Sequence, residues 1–289
     1  PYAQKQVKVY EGRIEALESI RGYLKKQTEK YVIMTDSNIA VNFDFNDLLH
    51  AHIESGADAT VVYRKQEIPK PLIKQSTEAL DQYYALGVNG DHVSKIYINP
   101  TEKGEMNFCL NIYVVERELL IRMIDDAFVH GYTSFVRDIL ERQIEHLDVR
   151  GYCYDGYVAE IHDMKSYFEE NMKLLEEENL NALFSGNQIY TKIRDDNPTR
   201  YINGSKAKNV MVADGCVIEG EVENSILFRG VHIGKGAKVK NCVLMQDTVV
   251  EDNASVEYVI TDKDVTITEG KSLTGNDSFQ VFVAKGQTV

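Results

Sequence analysis

The acidic side chains at positions 36, 44, 160 and 163 are the residues best suited to chemistry here. Asp36 follows a short apolar run, Tyr31 to Met34. That run would deliver it to the carboxyl end of a buried strand, where ligands collect in open α/β sheets. Two such carboxylates brought together from separate loops, Asp36 and Glu160 for instance, can hold Mg²⁺ against a triphosphate. A plainer use competes with this one. Asp36 would cap a turn, and Asp44 would open a helix over 46–54 near its positive end. Composition does not separate the two.

Other candidates carry less. His50 and His52 stand two residues apart on the same expected helix, so they face different directions. They are expected at the surface. No G-x-G-x-x-G or G-x-x-x-x-G-K-[ST] occurs, so no standard phosphate-cradling loop is present. Gly234-Lys235-Gly236 reads as a corner of a repeat. His232 lies in the same repeat, where some hexapeptide-repeat acyltransferases carry a catalytic histidine. It is expected to point outward with no polar partner, which makes an acyltransferase the remote alternative.

Bulk properties narrow the class. Apolar residues make up 43% of 289, ample for a packed core, so disorder is not expected. A net charge of −13 argues against a nucleic-acid binder, which needs a basic surface. No apolar run approaches bilayer-spanning length and no signal peptide is evident, so no membrane association is expected. Cys109, Cys153, Cys216 and Cys242 have no CxxC or zinc spacing. Scattered thiols read as reduced, hence a cytoplasmic chain.

The elements that would position these residues fall into two regimes. Up to about residue 180, apolar runs alternate with helical patterns, the α/β signature. Ile14, Leu17, Ile20 and Leu24 mark one helix face. Strands are expected at 32–34, from 59, at 95–99 and at 109–115, with helices over 118–130 and 164–179. From 208 the rhythm changes. Ile233, Val239 and Met245, then Val250 and Val256 after a one-residue slip, recur about every six positions. Ala237, Val243, Ala254 and Ile260 follow most of them at four residues. Neither a helix nor a strand repeats at six, but a triangular parallel β-helix does.

The order of segments resembles the ADP-glucose pyrophosphorylases, or glucose-1-phosphate adenylyltransferases. The similarity runs through 9-VYEGRIEAL-17, 48-LLHAHIESGADATVV-62, 109-CLNIYVV-115, 135-FVRDIL-140, 156-GYVAEIHDMKSYFEENMKLL-175 and 188-QIYTKIRDDNPTRYI-202. The resemblance implies a partial, Rossmann-like nucleotidyltransferase α/β domain over 1–183. A linker and a left-handed parallel β-helix of hexapeptide repeats would follow over 184–289. The family's N-terminal glycine-rich nucleotide loop is not among these residues, and a sheet lacking its first strands would carry an apolar edge.

Departures from the family pattern fall on its working positions. Where active members have G-D-H, this chain has Asp36-Ser37-Asn38, with Ser37 at the place of the metal carboxylate. The E-K-P segment that grips a sugar phosphate becomes Ile98-Asn99-Pro100. S-M-G-I-Y becomes Cys109 to Tyr113, with Asn111 replacing a bare glycine. D-V-G-T becomes Glu160-Ile161-His162-Asp163, and G-T-A-D becomes Gly12-Arg13-Ile14-Glu15. Phosphoryl transfer depends on charge neutralisation and positioning, so the expectation is a degenerate metal site near Asp36, Ser37 and Glu160. The substrate-pocket equivalents are Asn38, Ile98, Asn99, Asn111, Tyr113 and His162. The pattern is most similar to the GlgD-type regulatory subunit of bacterial glycogen synthesis. That implies a catalytic pyrophosphorylase subunit or a second copy as partner, a tetramer, and a possible sugar-phosphate effector. No cofactor is implied for this chain, with Mg²⁺ belonging to the alternative of an active adenylyltransferase.

Overall fold

The computed structural model describes residue 10 and residues 12–69, 72–73, 83–191, 194–202 and 204–289. Residues 9 and 11 of the first resemblance segment, and 192–193 of the last, lie outside the described residues. Contacts divide the chain into two units, residues 1–37 with 43–156, and residues 38–42 with 157–289. Residues 157–183, expected in the first domain, therefore pack with the coil.

The first unit is a mixed α/β layer. Its sheet runs β1 (Tyr31–Met34), β6 (Glu105–Glu116), β3 (Ala59–Glu67), β7 (Val149–Cys153), β5 (His92–Ile98), β4 (Tyr84–Asn89). β3 and β7 are parallel, while β1–β6, β6–β3, β7–β5 and β5–β4 are antiparallel. Helix α1 (Arg13–Leu24) buries Ile14, Leu17 and Leu24 at helical spacing. It packs against α3 (Arg117–His130), which buries Leu120, Ile121, Ile124 and Ala127. Burying each such aliphatic side chain contributes about 1.5–3 kcal/mol. Gly131 ends α3 with φ +67°, a left-handed cap that a Cβ would strain. Helix α2 (Phe45–Ser55) starts where Asp44 accepts a 2.8 Å hydrogen bond from the Asn46 amide, the capping role expected of it.

His52 departs from expectation. It is buried, with Nδ1 2.8 Å from Thr60 Oγ1 and its ring edge-on to Tyr31. Burial pulls its imidazole below the ordinary value. Leu48 and His52 are four residues apart and share the buried face, while His50 is exposed.

In the second unit the hexapeptide rhythm folds into parallel rungs. Val222 pairs with Val239, Val239 with Val256 and Val256 with Leu273, a step of 17 residues per coil. Left-handed corners at Asn241, Asp247, Asn253 and Tyr258 explain that number, because two sides have six residues and one has five. Asn and Asp tolerate this conformation better than other residues with a Cβ. The interior holds Ile233, Val239, Leu244, Val250 and Val256. Leu244, not the half-buried Met245, is thus the inward residue at the slip. Its neighbour Val243 points the other way by strand alternation. With Ile260 it packs against Phe168, on helix α4 (Met164–Lys173).

The helix expected over 164–179 is two. α4 stops at Lys173 and α5 begins at Glu177 and runs to Phe184. Asp163 and Ser166 close a capping box at the start of α4, so Asp163 is a structural cap. Among the described residues no helix is long and apolar enough to cross a membrane.

Candidate functional site

A cleft of about 970 Å³ opens in the α/β unit, walled by α1, by β1 with the loop after it, and by residues 133–137. Leu17, Ile20, Leu24 and Val32 make one side apolar, while Arg13, Asp36, Asn111, Ser134 and Arg137 make the other polar. Close backbone approach sets its shape at the start of α1. A Cβ on Gly12 would meet the Thr133 carbonyl oxygen at 2.3 Å, and the Ile14 amide donates to that oxygen at 3.1 Å. Asp138 holds the facing loop, accepting from the Thr133 and Ser134 amides at 3.1 and 3.0 Å and from Arg137 Nε at 2.9 Å. The Arg137 hydrogen bond and these amides keep the Asp138 carboxyl at about 2 despite its burial.

Asp36 lies two residues past the end of β1, in the loop that the apolar run Tyr31–Met34 leads into, and its side chain turns to Arg13. Its carboxylate is bonded and ion-paired to Arg13 Nη2. The guanidinium carbon of Arg13 sits 5.0 Å from the centroid of the Tyr113 ring. Burial alone would lower the Arg13 guanidinium, but Tyr113 and Asp36 together hold it above its ordinary value.

Tyr113 lies on the central strand β6, fully buried and edge-on to Phe135 at 5.4 Å. Its hydroxyl donates to Asn111 Oδ1 at 2.8 Å and lies 3.5 Å from Cys109 Sγ. Burial pushes the phenol well above its ordinary value. Asn111 has φ +56°, the left-handed conformation that glycine adopts without strain. The β3–β6 register breaks there. Val61 faces Tyr113 and Tyr63 faces Cys109, so residues 110–112 bulge opposite a single residue of β3. Asn111 thus holds a backbone that suits glycine while its side chain satisfies Tyr113.

Three of the expected site residues, Asp36, Asn111 and Tyr113, are therefore gathered around Arg13. The others are not. Ser37 is exposed. Ile98 ends β5, and Asn99, at φ +46°, exchanges bonds with Tyr83, giving its amide to the Tyr83 carbonyl at 3.0 Å and accepting from the Tyr83 amide at 3.2 Å. Asn38, Glu160 and His162 belong to the second unit. There β2 (Ile39–Val41) pairs antiparallel with β8 (Val158–Glu160), and the Ile161 amide donates to Asn38 O at 2.8 Å. Glu160 is buried, with Oε2 3.1 Å from His162 Nε2. On the coil, His232 does have a polar partner, Glu219, at 3.1 Å. Among the described residues, no group of three or more His, Cys, Asp and Glu side chains comes together to hold a metal ion.

The residue whose role the sequence hid is Arg13. It stands out as a basic side chain in place of a small one in the G-T-A-D segment. Its partner Asp36 is visible in the sequence only as a lone carboxylate after the apolar run Tyr31–Met34.

Residues 193–280 match the family described as GlmU-like, C-terminal hexapeptide. Over 265 residues, 91% of this chain, the sequence is 31% identical to glycogen biosynthesis protein GlgD of Bacillus subtilis (strain 168). It is 29% identical over 246 residues, 83% of the chain, to glucose-1-phosphate adenylyltransferase of Geobacillus stearothermophilus. The chain is a relative of the glucose-1-phosphate adenylyltransferases and of GlgD. It spans 65% and 61% of the lengths of these two proteins. A second GlgD, from Geobacillus stearothermophilus, is 32% identical over 218 residues, covering 75% of this chain and 51% of that protein. These likenesses agree with the α/β unit and hexapeptide coil seen in the fold.

Proposed function

We propose that this chain acts in glycogen biosynthesis as a regulatory, non-catalytic subunit of a glucose-1-phosphate adenylyltransferase assembly. The observation that carries this reading is the state of Asp36, which is tied to Arg13 on a buried tyrosine. Two further positions support it. Ile98 and Asn99 carry no charge with which to grip a sugar phosphate, and Asn99 is taken up by the Tyr83 backbone. Losing one electrostatic contact to a transition state costs on the order of a hundred-fold or more in rate, and several are missing together. The partner on this reading is a catalytic pyrophosphorylase subunit or a second copy of the chain, in a tetramer that answers to a sugar-phosphate effector.

The similarity to proteins named glucose-1-phosphate adenylyltransferase favours a second reading, an active enzyme. One assay separates them. The full-length protein is mixed with ATP, Mg²⁺ and glucose 1-phosphate, alone and with a catalytic subunit, while ADP-glucose is measured. The regulatory reading expects no product from the chain alone and a changed rate or effector response on mixing. Turnover by the chain alone, at the catalytic subunit's rate, establishes the active reading instead.

A further inference from the structure

We propose that Arg13 is a built-in counter-cation of the cleft, holding the Asp36 carboxylate against Tyr113 so that it takes no divalent metal ion. Two observations make the guanidinium a poor leaver. The Arg13 side chain is 22% exposed, and its Nη1 is buried with no hydrogen-bond partner. Its counter-charge is Asp36, and the other favourable contact is the face of Tyr113. Tyr113 is itself fixed by Phe135, Asn111 and the bulge of β6, so the platform under the guanidinium does not move aside easily. A divalent ion that captured Asp36 would leave a half-buried positive charge unpaired beside a second, larger one. The pair is part-buried, with Asp36 34% exposed, so removing one partner costs more than losing a fully exposed pair. Hard divalent cations also need several oxygen ligands, and no cluster of ionisable ligands gathers among the described residues. The donor set around Asp36 therefore does not fit the Mg²⁺ that an active adenylyltransferase would need. Arg13 supplies the positive charge there in covalent form.

The test uses Mn²⁺, whose unpaired electrons broaden nearby amide signals even when it binds weakly. The full-length protein is titrated while the backbone amides of Thr35, Asp36 and Ser37 are followed by NMR. The wild type is expected to show no saturable broadening at these three positions. Arg13→Gln keeps length and removes the charge, and should bind Mn²⁺ at least about tenfold more tightly than wild type. The double variant Arg13→Gln with Asp36→Asn should lose that gain. Arg13→Thr, the residue type of the family segment, is the second variant if glutamine fails to fold. Saturable broadening in the wild type that Asp36→Asn abolishes overturns the proposal. So does a folded Arg13→Gln or Arg13→Thr protein that responds like the wild type. The inference concerns this carboxylate alone, so its failure leaves the regulatory reading to the ADP-glucose assay.

Discussion

The coil and the cleft are built in opposite ways. In the middle of the coil an inward side chain returns every 17 residues, so Val222, Val239, Val256 and Leu273 occupy one column with one job. Each rung touches only its neighbours, which is why stability in such arrays is close to a sum of local terms. The cleft takes Arg13 from a helix start, Asp36 from the loop after an edge strand, Asn111 and Tyr113 from a bulged central strand, and its facing loop is held by Asp138 of a seven-residue π-helical segment, Phe135–Glu141. None of those contacts recurs. A repeated structure announces itself by period, whereas a site assembled from distant stretches shows itself only through what each substitution touches.

Substitutions at Leu244, Met245, Asn111 and Asp138 break or sharpen that contrast. The largest effect is expected inside the coil. Leu244→Ala removes a fully buried side chain and should cost about 2–5 kcal/mol, while Met245→Ala next to it should cost under about 1 kcal/mol. Urea unfolding followed by circular dichroism checks both, and equal losses would return the slip to Met245. In the cleft, Asn111→Val places a β-branched residue at φ +56° and strips Tyr113 of its acceptor. It should cost about 1–3 kcal/mol. Asn111→Gly keeps the backbone at ease and loses only the hydrogen bond, about 1 kcal/mol. Thermal melts of the two variants separate the strain from the bond.

The smallest effect is one of pH. The folded-state carboxyl of Asp138 lies at about 2, below its ordinary 3.8, first because of Arg137 and then the loop amides. Its contribution is therefore complete above pH 4 and disappears as pH falls from about 4 to about 2. Acid titration of stability should show that step in the wild type and a shallower one in Asp138→Asn.

Much of the architecture was legible in the sequence because its signals are local. The helix face of Ile14, Leu17 and Leu24, the cap at Asp44 and the six-residue rhythm each depend on neighbours a few positions away. The errors were also local in origin. A strict six points Met245 inward because it skips the five-residue side, and the two-residue spacing of His50 and His52 hides that His52 shares a face with Leu48. The break between α4 and α5 is hidden because nothing in Leu174 to Glu176 disfavours a helix by propensity. The site was legible only as departures from a pattern. That Arg13 would reach Asp36 across 23 positions depends on how α1 and β1 pack, and no spacing in the chain encodes it.

The placement of the four thiols has a practical consequence. Cys153 is exposed, whereas Cys109 is sealed in the sheet and Cys216 and Cys242 lie inside the coil. Burial raises Cys109 and holds Cys242 at about 12, so neither offers a thiolate to an alkylating reagent while its unit stays folded. The native protein thus comes with a single natural handle for a dye or a spin label, and each unit keeps its own concealed reporter of opening.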